Sequence, residues 1–167
     1  MTNDGLLSLF LFLHVISAII AFGPTFIFPL IASRAQKSPQ NSHFAAELAE
    51  TIESKIVLPG AIVQGITGLG LIIIGGLDIA SAQWRYLIIA IALYLIAIAF
   101  VVTTQGPAAT RMVQLTGAMS GPSPAGAPAG PPPEIVATGK KLQQGGMFLT
   151  VLIVVIVLLM VLKPTLG

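Results

Sequence analysis

The stretch LFLHVISAIIAFGPTFIFPL, Leu11 to Leu30, holds one histidine, His14, among residues that otherwise suit a lipid environment. Imidazole is both a proton switch and a common metal ligand, and an ionisable group inside a membrane span usually turns toward the bundle interior, where it marks a functional hypothesis. Three chemistries fit it: a neutral ring that hydrogen-bonds helices together, a ligand to haem iron or another metal, and a station in a proton relay. No second histidine lies within a span. Haem held by one chain would therefore be five-coordinate, or would need a second chain's His14 or a different axial ligand. A zinc site is harder to build, because zinc wants three or four protein ligands and no carboxylate or thiolate shares the level of His14.

The composition says where such a ring would sit. Of 167 residues, 55% are hydrophobic and 8% charged, against about 25% charged in soluble domains, so the chain has a membrane composition. Eight Lys/Arg against six Asp/Glu leave a formal charge of +2, too little to predict a nucleic-acid surface. Cysteine is absent, which excludes disulfides, thiolate metal sites and cysteine nucleophiles and leaves the redox compartment open. The N-terminal MTNDG carries an acid and no basic stretch, and the apolar run after it, Leu6 to about Ala32, exceeds the roughly 7–15 apolar residues of a cleavable signal. The segment reads as a retained span.

A hydrocarbon layer about 30 Å thick needs about 20 apolar helical residues. Four segments qualify, at about 6–32, 56–77, 84–105 and 146–163. Backbone groups in lipid must bond within their own segment, so the fold class is all-α, a single four-span transmembrane bundle. Between spans one and two, Ser38-Pro39 resembles a helix start. Ala45, Leu48, Ala49, Ile52 and Ile56 then recur at helical spacing, with Glu47, Glu50 and Glu53 on another side; this predicts a short interfacial cytoplasmic helix that runs into span two, with a kink at Pro59. GGLDIASAQW leaves room only for a tight turn, with Trp84 and Tyr86 at headgroup level. Residues 117–133, rich in Pro, Gly and Ala, read as a flexible or polyproline-like linker, followed by a helical lead-in to span four. No internal repeat is evident, which leaves an inverted-repeat transporter without support.

Arg34, Lys37, Lys55, Arg111, Lys140 and Lys141 fall on one side of this topology and only Arg85 and Lys163 on the other. The positive-inside rule then places both termini outside the inner (plasma) membrane and residues 33–55 and 106–145 in the cytoplasm. His14 lies about 12 Å along span one from its outer edge. The same depth on the other spans selects Gln64, Thr67 and Gly68, then Tyr94, then Val155. The stripes agree: His14, Ala18, Ala21, Thr25 and Phe28 share a face of span one, and Gly60, Gln64, Thr67, Gly68, Leu71 and Gly75 share a face of span two. Spans one to three are expected to form the polar centre, with span four more exposed to lipid.

LHVISAIIAFGP, LPGAIVQGITGLGLI and the Trp that opens span three together resemble a family of uncharacterised four-span bacterial membrane proteins. The first-span LH is similar to that of the copper-resistance CopD-like and HemJ-like membrane proteins. The HemJ-like resemblance implies a haem axial role for His14. It also implies a lysine in a later span, which this sequence lacks in its span interiors. The copper-resistance resemblance implies metal transport, yet there is no methionine or cysteine array to select soft copper.

Other groupings weigh less. His43, Glu47 and Glu50 are spaced 4 and 3 apart and read foremost as a solvated acidic face. The glycines of GITGLGLIIIGG follow no strand and serve close helix contact, not a phosphate loop. The proline-rich segment is a tether or a polyproline ligand for an aromatic groove. Arg85 is an interface arginine or a partner for a haem propionate, with Tyr94 as a second supporting group. Two functions follow: a non-catalytic membrane component, acting as an accessory subunit of a larger complex or as a homo-oligomer in the lipid bilayer, or a haem-binding redox protein built on His14. A small transporter is the third.

Overall fold

The computed structural model describes residues 3–79, 81–119 and 130–164. Four long helices account for nearly all of them: α1 (Asp4–Lys37), α2 (Ser42–Ile74), α3 (Arg85–Ala118) and α4 (Pro133–Leu162). There is no strand among the described residues. The fold is all-α, with four helices long and apolar enough to cross a membrane. Side-chain pairings put each consecutive pair antiparallel: His14 lies against Thr67 and Ala21 against Gly60, His43 against Thr116, and Phe100 against Phe148.

The helices are longer than the spans drawn from hydropathy. Helices of 34, 33, 34 and 30 residues measure about 45–51 Å at about 1.5 Å per residue, well beyond a hydrocarbon layer of about 30 Å. The excess lies at the end of the molecule where the 33–55 and 106–145 segments fall. Residues 106–118, expected as loop, continue α3 without a break, and the expected interfacial helix is the first part of α2 itself. Most of the proline-rich linker, residues 120–129, lies outside the described residues. The helix ends on either side of it are joined by the exposed pair Arg111 and Glu134, in which Arg111 Nε donates to Glu134 Oε1 at 3.0 Å.

Prolines explain how the helices run on. Proline has no N–H and its ring crowds the preceding turn. In α2, residues Glu53–Val57 widen into a π-turn, and Leu58 N–H reaches back to Glu53 just before Pro59. In α3, residues Val101–Gln105 do the same before Pro107, with Gly106 N–H bonded to Val101. The kink expected at Pro59 is thus a π-bulge that absorbs one surplus residue, a known way to carry a proline through a helix. In α1 the chain tightens instead, to a 3-10 turn at Gly23–Phe26 around Pro24. α2 stops at Ile74, three residues short of the expected end, because Gly76 adopts φ +60. Leu77 N–H then bonds Ile72 and Gly76 N–H bonds Ile73, the Schellman pattern that glycine favours.

These irregular turns divide the bundle in two. In the half toward the termini α1 packs closely on α2. In the opposite half α2 packs on α3, and α4 follows α3 through both. Small residues make the contacts: Ala21, Ala61, Ala90, Ala108 and Ala109 are buried, while large apolar side chains such as Phe12, Ile66, Leu95 and Val161 face outward. That distribution suits lipid, where leucine gains nothing by leaving the acyl chains and close backbone approach supplies the attraction.

Candidate functional site

The face of α1 that carries His14 also carries Ser17, Ala21 and Thr25, all three buried. Opposite it, α2 presents Gly60, Gln64, Thr67 and Gly68. The absent side chain of Gly60 lets α1 in: a Cβ there would stand 3.2 Å from that of Ala21. About two turns farther along, a Cβ on Gly68 would meet His14 Cε1 at 3.0 Å, so the ring lies directly over the glycine.

Both nitrogens of His14 are engaged. The Thr67 hydroxyl donates to its own helix, to the Val63 carbonyl at 2.8 Å, with the Gln64 carbonyl at 3.1 Å. It can therefore only accept from the ring, so Nδ1–H donates to Thr67 Oγ1 at 3.1 Å. Nε2 is then the lone-pair nitrogen and accepts from the Gln64 amide at 3.0 Å. The amide's oxygen accepts in turn from Ser17 at 2.6 Å, whose hydroxyl also lies 3.0 Å from the His14 carbonyl. The network asks for one tautomer of a neutral imidazole and closes on itself across two helices.

Depth counting from the sequence selected Gln64, Thr67 and Gly68, and the structure brings all three to His14. Tyr94 goes elsewhere. Its hydroxyl donates to the Ala61 carbonyl at 2.8 Å and fills the space above Gly65, on a neighbouring face of α2. Arg85 opens α3, nine residues before Tyr94 and so about 13 Å away along the helix. Tyr94 therefore takes no part in the His14 network.

The sequence reading missed a second pairing of the same kind. His43, expected on a solvated face, packs on α3. Its Nδ1 lies 3.2 Å from Thr116 Oγ1, and Thr116 donates to the Met112 carbonyl at 2.8 Å. A Cβ on Gly117 would meet His43 Cε1 at 3.0 Å, the same distance as at Gly68 and His14. The remaining nitrogen, Nε2, faces Glu47 Oε1 at 3.3 Å. Two histidines near the starts of successive helices thus each sit on a Thr-Gly step near the end of the next. The legible signal was the pair of strings Val63-Gln64-Gly65-Ile66-Thr67-Gly68 and Val113-Gln114-Leu115-Thr116-Gly117, each downstream of a helix proline. So although no sequence repeat is evident at the scale of whole spans, one local unit occurs twice. Gln105, also unforeseen, is buried on α3, where its amide donates to the Leu142 carbonyl of α4 at 3.3 Å.

Among the described residues no three of His, Cys, Asp and Glu are grouped to hold an ion. His43 and Glu47 pair with each other, and Glu50 lines a separate cleft with Glu53 and Thr110. No curated protein and no solved structure matches the chain. A family described as predicted integral membrane protein matches it over residues 8–164, from the start of the first span to the end of the last. The chain therefore belongs to the DUF2269 family of integral membrane proteins.

Proposed function

We propose that this protein is a non-catalytic component of the membrane, an accessory subunit of a larger assembly or a homo-oligomer, in which His14 fastens α1 to α2. One observation carries the reading: Nδ1 and Nε2 of His14 are both spent on Thr67 and Gln64, and those partners are themselves satisfied. A ring held in this way acts as a helix fastener, and the polar groups it satisfies would otherwise be costly in lipid. The haem role implied by the HemJ-like resemblance requires Nε2 to exchange Gln64 for iron. It also draws nothing from Tyr94, whose hydroxyl is spent on the Ala61 carbonyl. The wide apolar circumference meets the bilayer. The basic residues favour the inner membrane with both termini outside.

The test is an absorption spectrum of protein purified in mild detergent from cells grown with added haem. The expected result is no Soret band in either the wild type or His14→Ala. A band present in the wild type and lost in His14→Ala overturns the proposal in favour of a haem protein. Recovery of the protein strictly alone and monomeric in mild detergent overturns the subunit reading.

A further inference from the structure

α3 and α4 do not close on each other along their whole length. A cleft of about 350 Å³ opens between them, lined by Phe100 and Thr104 of α3 and by Lys141, Gln144, Gly145 and Phe148 of α4. Its two ends differ in chemistry. Phe100 and Phe148 form an edge-to-face pair, ring centroids 4.9 Å apart, at the end toward the apolar half of both helices. One turn farther stand Thr104, Gln144 and the buried Gly145, and one turn beyond that stands Lys141, exposed at the end toward the connecting segments. The cleft is open at the surface of the bundle and lies on helices long and apolar enough to span a bilayer.

We propose that this cleft is a binding site for one anionic phospholipid of the leaflet on the Lys141 side. A phospholipid has the same polarity along its length, with an acyl chain to lie against Phe100 and Phe148 and a phosphate to meet the Lys141 ammonium. Thr104 and Gln144 stand between, at the depth of the glycerol esters. Charge complementarity selects an anionic headgroup over a zwitterionic one: basic pockets between helices on the basic face of a membrane protein suit such headgroups. Gly145 has an architectural part, because its missing side chain leaves room for the Gln105 amide, which ties α3 to α4 beside the cleft.

Neighbouring lysines make a discriminating test. Lys140 is also exposed but does not line the cleft, being turned about 100° around α4. The full chain in mild detergent is titrated with dioleoyl phosphatidylglycerol and, separately, with dioleoyl phosphatidylcholine, and bound lipid is counted by native mass spectrometry. The expected result is one retained phosphatidylglycerol per chain. Lys141→Gln should lower its affinity about fivefold, the scale of one basic contact at a membrane surface, and Lys140→Gln should leave it unchanged. Equal losses in the two variants would show diffuse attraction to the basic end and overturn the site. So would retention of phosphatidylcholine as strong as that of phosphatidylglycerol, or displacement of the lipid by glycerol phosphate alone.

Discussion

The hydroxyl of Thr67 has a single proton, and α2's own carbonyls take it. That fact fixes the direction of every other bond in the outer network, down to the tautomer of His14. Removing the ring should leave the Gln64 amide N–H without its acceptor and the Thr67 oxygen without its donor in a dry setting. We expect His14→Ala to lower stability by about 1–2 kcal/mol, read as the midpoint of sodium dodecyl sulfate unfolding in mixed micelles. His14→Gln, which can still accept from one side and donate to the other, should recover part of the loss; an unchanged midpoint in His14→Ala would show that the network contributes nothing. These partners were legible in the sequence because a polar side chain at a shared depth in lipid has few alternatives. Ser17 was not, since a serine three residues from a histidine on one helix normally bonds its own backbone, and Ser17 does reach the His14 carbonyl as well. Tyr94 matched in depth but lies on another face of α2, and depth alone carries no angular information.

Among the helices, the close approach of α1 to α2 is governed by Gly60 on α2, over Ala21 of α1. A large side chain there must push α1 away and disturb the His14 network beyond it. Gly60→Leu should cost about 1–3 kcal/mol by overpacking, whereas Gly23→Ala, at a position with nothing within 4 Å of a Cβ, should be nearly neutral. Unfolding midpoints of the two variants check this, and equal effects would mean that the α1–α2 contact is not set by Gly60. The existence of all four helices could be read from apolar run length, since bilayer thickness sets a minimum that no other segment met. Their ends could not be read in this way. Gly106-Pro107 looks like a break, yet a π-turn carries the helix past it, and the polar residues beyond continue because they pack on α2 and α4 rather than on lipid. The repeated Thr-Gly step went unseen for a related reason: it is a few residues long, and its meaning appears only when a histidine from the preceding helix lies across it.

For the molecule as a whole, the antiparallel order gathers Arg34, Lys37, Arg111, Lys140 and Lys141 toward one end, with Lys55 on the same half of α2, and leaves Arg85 and Lys163 at the other. The absence of cysteine makes the resulting orientation easy to test. Asp4→Cys should react with a membrane-impermeant maleimide on intact cells, and Gln40→Cys only after permeabilisation; the opposite pattern would invert the topology. The exchange of neighbours between the two halves could not be read from the sequence, because it depends on how each helix is tilted and phased. That phase is set at the π-turns. Winding Glu53–Val57 as regular α-helix with the surplus residue kept would turn everything beyond it by about 100°. His43 would keep its seat on Thr116, while Gln64 and Thr67 would swing away from His14. The wide turn at Glu53–Val57 therefore acts as the timing mark that lets one helix mesh with two different partners at its opposite ends.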